Sequence, residues 1–189
     1  MKKPKIKKTD EICSTKFLSL KQSTYNDKEC NERKWDYVTR SKDASVVTII
    51  AFDATMRKIL FIKQPRIPIG KIILSFPAGL IDPGESVENA ARRELLEETG
   101  YKIKKILSKS PSLPKSAGLT NESTYQVQCV VVEKPGSQKL EKTEDIKVFW
   151  MTPKAFYKKG MLLDENKYAI EDETWNFVSG IVRAKKYKV

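Results

Sequence analysis

FPAGLIDPGESVENAARRELLEETGY, residues 76–101, carries the reading of this chain. Pro77, Gly79, Pro83 and Gly84 are turn formers and mark a tight loop. Ser86 then stands where a helix N-cap accepts from the first turn, and Gly100 where a helix stops, so the spacing predicts a helix over 87–99. On that helix Glu94, Glu97 and Glu98 follow at i, i+3 and i+4 and share one face. Val87, Ala90 and Ala91 project within about 60° of Glu94 on the same wheel. A surface helix keeps its acids opposite its small apolar residues; here acids and alanines point together toward something close. Clustered carboxylates repel unless a cation neutralises them, and an all-oxygen set suits Mg²⁺ or Mn²⁺ rather than zinc. Two readings stand at this point: a hard-metal site, or a salt-bridged surface helix. Glu85, at the end of the loop, can swing back toward the glutamate face.

Working outward, apolar β-branched runs bounded by turn residues predict strands over 45–52 (SVVTIIAF), 59–63 (ILFIK), 72–76, 125–133 (YQVQCVVVE) and 146–151 (IKVFWM). The first two read as a hairpin through the polar turn 53–58. Weaker strand signals lie at 16–21 and 35–40. Helical patterns cover 153–159 and 171–185, the latter with Trp175, Val178, Ile181 and Val182 at helical spacing. One α/β domain with a mixed sheet, preceded by a strand-rich arm, is the economical organisation: a basic tail over 1–12, the arm over 13–43, the main domain over 44–183 and a second basic tail over 184–189.

Composition narrows the chemistry. The chain has 189 residues, 36 Lys plus Arg against 24 Asp plus Glu, a net charge of +12 and no histidine. Ser-His-Asp and Cys-His nucleophiles and His-ligated zinc are therefore excluded, and acid–base work falls to carboxylate, Lys, Tyr or Cys. Cys13, Cys30 and Cys129 show no metal-ligand spacing and read as reduced thiols. Residues 1–8 and 183–189 hold nine of the excess positive charges, so the basicity reads first as solvated ends and second as a grip on RNA or an acidic partner. No apolar run approaches a membrane span, and the lysine-rich start leads into no apolar leader, which predicts a cytoplasmic chain.

Gly79, five residues, Glu85, seven residues, then Arg93-Glu94-Leu95-Leu96-Glu97-Glu98-Thr99-Gly100 resembles the Nudix box. The position after it, aliphatic in most members, is Tyr101. The resemblance implies an α/β/α sandwich that hydrolyses a nucleoside diphosphate linked to another group. It implies Mg²⁺, with Mn²⁺ as a substitute, held by Glu94, Glu97 and Glu98 and by the carbonyl of Ala78. Arg93 would orient the glutamates through its planar fork.

The likeness is greatest to the ADP-ribose pyrophosphatase branch. Lys63-Gln64-Pro65-Arg66, the FPAGLID loop, SPSLPKSAGLTNE after the box and TEDIKV at 143–148 fall where that branch has counterparts. The branch implies a homodimer that exchanges its N-terminal strands, with Phe17 and Trp35 stacking on the base, Arg40 and Arg66 binding phosphate, and Leu80 touching substrate through its backbone. The polar loop 135–145 would be a lid carrying the general base Glu144, with Glu141 as a nearby substitute. Two departures bear on the substrate: Ala117 stands where the branch carries a proline, and Ser75 where it often carries a glutamate. The expected reaction releases a nucleoside monophosphate and a sugar phosphate from ADP-ribose or a related nucleoside diphosphate sugar. Alternatives are a hydrolase of RNA 5′ ends or dinucleotide caps, and a non-catalytic binding module on the same fold.

Overall fold

The computed structural model describes residues 3–40 and 45–187. Twelve strands and three α-helices follow one another among them. Three strands come first: β1 (Ile6–Ser14), β2 (Leu18–Asn26) and β3 (Glu32–Arg40), an antiparallel sheet in the order β1-β2-β3. β1 starts inside the stretch whose charge suggested a solvated tail. It is held by its ladder to β2 and by ion pairs such as Lys7 to Glu32, at 3.0 Å, so these lysines decorate a strand. The expected boundary between arm and domain, at 43/44, and the outermost basic residues at 1–2 and 188–189 lie outside the described residues.

The second sheet has nine strands and holds the core. Its centre is β4 (Val46–Phe52), buried along nearly its whole length. Such a continuous apolar run is what a strand covered on both faces requires. Side chains alternate across it with period two. Val47, Ile49 and Ala51 face one way, packing with Leu60, Val127 and Cys129 against Ala90, Ala91 and Leu95 of α1 (Val87–Thr99). Ile50 and Phe52 face the other way, among Phe61, Phe76, Phe156 and Val178 beneath α2 (Pro153–Gly160) and α3 (Asp172–Tyr187). There the ring of Phe61 stacks at 4.1 Å on Phe156 and at 5.5 Å on Phe76. The result is a sheet with helices on both faces, the expected α/β/α sandwich.

β4 runs parallel to β10 (Ser123–Val131), which also pairs antiparallel with β8 (Ile103–Lys109) and β9 (Leu113–Pro114). The expected hairpin of β4 with β5 (Ile59–Arg66) exists only at its tip. Asp53 ties the turn by accepting from the Arg57 and Lys58 N–H groups, Phe52 pairs with Ile59, and the strands then separate. β4 turns instead to β7 (Ala78–Leu80), the loop strand that leads to α1. β5 pairs with β6 (Lys71–Ser75) and with β11 (Lys147–Met151), and β6 pairs parallel with β12 (Tyr168–Ile170). The short strands β7, β9 and β12 have no sequence signal of their own, because each is made by the neighbour it pairs with. No helix among the described residues is long and apolar enough to cross a membrane.

Candidate active site

α1 begins and ends as its sequence dictates. The Ser86 hydroxyl accepts from the Asn89 N–H at 3.2 Å, and Gly100, at φ 74°, returns its N–H to Leu96 O. Its buried stripe of Ala90, Ala91 and Leu95 sets the helix against β4, and Glu98 lies on that buried side, 5 % exposed. Gly79 explains how Glu94 fits beneath the loop. A Cβ on Gly79 would sit 1.9 Å from the Glu94 carboxyl carbon, so any side chain there would push the Glu94 carboxylate from its place.

Arg93 is the organiser. Its Nε and Nη2 donate to both oxygens of Glu85, at 3.1 and 2.8 Å. Nη2 also donates to Leu80 O at 2.9 Å, and Nη1 to Glu94 at 2.6 Å and to Glu97 at 3.4 Å. One guanidinium thus joins the loop to the glutamate face, which the single point charge of lysine could not reproduce. The Glu85 carboxyl is held below its ordinary range by the Arg93 hydrogen bonds.

Glu94 and Glu98 behave in the opposite way. Burial pushes the Glu98 carboxyl up to about 8, and the neighbouring carboxylates of Glu94 and Glu144 add to the rise. The Ala78 N–H, donating to Glu98 Oε2 at 3.1 Å, and the charge of Arg66 offset part of it. Glu94 is also raised, first by burial and then by Glu97 and Glu144, against the pull of Arg93. Negative charge has been gathered where water does not stabilise it, the condition a divalent cation relieves. Among the described residues no three acidic side chains converge on one point. The fit to a hard metal therefore rests on the all-oxygen donors, their burial and their mutual repulsion.

The segment between β10 and β11 crosses the C-terminal end of α1. Gly136 N–H donates to Gly100 O at 2.7 Å and Lys139 N–H to Glu97 O at 2.8 Å. The Gln138 side-chain amide donates to Glu98 O at 2.5 Å and to Ile146 O at 3.2 Å. These bonds satisfy helix-end carbonyls and latch the first half of the expected lid. Sequence reading missed Gln138 entirely; nothing in a polar loop singles out one amide. The partnership of Gly100 with Gly136 had a faint signal in the two glycines, since a Cβ at Gly100 would meet Gly136 O at 2.3 Å. Beyond the latch, Glu144 accepts from Glu141 N–H at 2.9 Å, and its charge reaches Glu94 and Glu98.

The expected site residues divide into two groups. Ala78, Leu80, Arg93, Glu94, Glu97 and Glu98 come together, with Glu144 and Arg66 within electrostatic reach of Glu98. Phe17, Trp35 and Arg40 stand on the N-terminal sheet. Phe17 is 70 % exposed, with the Lys16 ammonium 5.2 Å from its ring centre. Trp35 is 51 % exposed, and its indole N–H donates to Gly118 O at 3.1 Å. Arg40 is held by Glu122 at 2.6 Å, so its head is tied to the 116–122 loop. Tyr101 takes the position after the box as a packing residue: its hydroxyl accepts from Trp150 Nε1 at 2.9 Å, with the rings edge to face at 5.5 Å.

The NUDIX domain family model matches residues 42–172. An ADP-ribose pyrophosphatase of Saccharomyces cerevisiae is 35 % identical over 95 % of this chain and 83 % of its own length. An ADP-sugar pyrophosphatase of Mus musculus is 36 % identical over 64 % of this chain and 58 % of its own. Among solved structures, that of an ADP compounds hydrolase superposes with a TM-score of 0.75 at 18 % identity, covering 100 % of this chain and 98 % of that one, a likeness of fold.

Proposed function

This chain belongs to the Nudix family as a hydrolase, and we propose that it cleaves the diphosphate of ADP-ribose or a related nucleoside diphosphate sugar to a nucleoside monophosphate and a sugar phosphate. One observation carries the reading: Glu98 is buried and Glu94 half-buried on the α1 face, both with raised carboxyl pKa values, while Arg93 fixes the loop and helix around them. The pyrophosphatase names of the yeast relative, matched over 83 % of its length, and of the mouse relative support the choice of substrate class.

Glu94, Glu97 and Glu98, with the Ala78 carbonyl, would hold Mg²⁺, or Mn²⁺ in its place. A divalent ion bound there neutralises phosphate charge and lowers the pKa of water. Arg93 keeps the glutamates aimed and in register with the loop. Arg66, exposed at the end of β5, reaches toward the same charges and would take a phosphate oxygen. Glu144, on the part of the segment beyond the Gln138 latch, would accept the proton of the attacking water. Phe17 and Trp35 would sandwich the base. Their exposure, with that of Ile6, Ile12 and Leu18 on the same arm, supports a homodimer in which the arm is covered by the second subunit. Arg40, held by Glu122, would act on phosphate only by leaving that ion pair.

The test is Mg²⁺-dependent release of nucleoside monophosphate, followed by chromatography, across ADP-ribose, ADP-glucose, GDP-mannose, NADH, dinucleoside polyphosphates and capped RNA. Preference for ADP-ribose, or for another nucleoside diphosphate sugar, is expected. Preference for capped RNA would overturn the substrate class, and no turnover on any of them would overturn the catalytic reading.

A further inference from the structure

On the sheet face opposite α1 lies a cavity of about 490 Å³ between β5, β11 and the segment joining α2 to β12. Its floor is apolar and aromatic, with Leu74, Phe149 and Tyr168 among its residues. Lys63, Lys147 and Lys159 also line it, and no acid is among the lining residues. Lys63 and Lys147 are directly opposed across the antiparallel β5–β11 pair. Like charges at such a position repel and weaken the pairing. No ion pair of the described residues involves any of the three lysines. The nearby acid Asp164 turns its carboxylate to the Asn166 N–H at 3.1 Å. Three ammonium groups with no ion-pair partner thus line one cavity together with the Phe149 and Tyr168 rings, an arrangement complementary to an anion that carries a flat apolar group.

We infer that this cavity is a second ligand site, distinct from the α1 cleft, and that it takes a nucleotide with the phosphate between Lys63, Lys147 and Lys159 and the base on the Phe149–Tyr168 floor. The volume falls within the range of small-molecule sites, about 300–1,000 Å³. Lysines serve as mobile point charges for phosphate. The apolar floor argues against an inorganic anion alone, which would leave it wet. The site stands apart from the catalytic proposal, since its lining includes none of the residues of the α1 cleft.

Titration with AMP, ribose 5-phosphate and inorganic phosphate, followed by residue-resolved amide NMR, tests this. AMP is expected to perturb Phe149, Tyr168 and Lys147 in a saturable way, also when the α1 cleft is disabled by Glu98→Gln. Ribose 5-phosphate and phosphate should bind the same residues at least about tenfold more weakly, the loss of one stacked base. Lys63→Gln with Lys147→Gln should weaken AMP about tenfold or more at these residues. It should also leave the thermal midpoint of the free protein equal to or above that of the parent, because the opposed charges are gone. Perturbations confined to residues around α1 would overturn the inference, as would equal binding of phosphate and AMP or binding indifferent to the double substitution.

Discussion

The α1 cleft and the N-terminal sheet break the inside–outside rule in opposite directions. In the cleft, Glu98 is buried with alanines and its carboxyl is raised to about 8. On the arm, Phe17 and Trp35 lie largely in solvent. The cleft offsets part of its negative charge from within the chain, through the Arg93 fork on Glu94 and the Ala78 N–H on Glu98. The arm meets the 116–122 loop, for instance through Val38 N–H to Leu119 O at 2.9 Å, yet Phe17 and Trp35 stay largely in solvent. A buried charge partly offset from within suits chemistry, while exposed aromatic rings are what the proposed second subunit or substrate base would cover.

The comparison breaks most easily at Glu98. Glu98→Gln keeps the shape and the Ala78 hydrogen bond but removes the charge; kcat should fall by about a thousandfold or more, with thermal stability held or raised. Near-parental turnover would mean that the buried carboxylate is structural. Gly79→Ala attacks the same region sterically. Its Cβ would collide with the Glu94 carboxyl, so activity should drop by about a hundredfold, and chemical denaturation should show a loss of about 1–3 kcal/mol. Wild-type values in both assays would show that the loop can shift away from α1.

The arm is probed by Trp35→Ala. If the indole stacks on the base, KM should rise about tenfold with kcat nearly unchanged, and an unchanged KM would confine Trp35 to its bond with Gly118. The remaining test is a pH slope. A carboxyl whose folded pKa is raised from 4.5 to about 8 favours the fold below pH about 4.5, and that contribution is lost as pH rises toward 8. Metal-free protein should therefore lose stability across this window in denaturant titrations, and Glu98→Gln should lose less. Parallel profiles for the two proteins would remove Glu98 as the source.

Much of the cleft was legible because its determinants are local. Ser86, Gly100 and the i, i+3, i+4 glutamates lie within one helix and act over one or two turns, and the alanines on the acidic arc already implied a buried face. β4 was equally plain, since a strand covered on both sides is apolar throughout. What stayed hidden depends on residues far apart in sequence. Gln138 reaches Glu98 O across 40 residues, Arg40 reaches Glu122 across 82, and β7, β9 and β12 exist only through the strands they pair with. The charge of residues 1–8 suggested a tail, because composition cannot show that β2 stands ready to pair with the chain from Ile6 onward.

The sequence by itself determined the helix, its caps, the acidic face and the family to which the loop and helix belong, because each of these is set by neighbours within a few turns. Only the tertiary structure decided which charges lose their water, which guanidinium is left open toward the cleft and which is tied down, and that Lys63 and Lys147 face each other across a ladder. Burial and charge–charge distance are properties of the packed chain, and it is these that raise the Glu98 carboxyl and leave the opposed lysines without a partner.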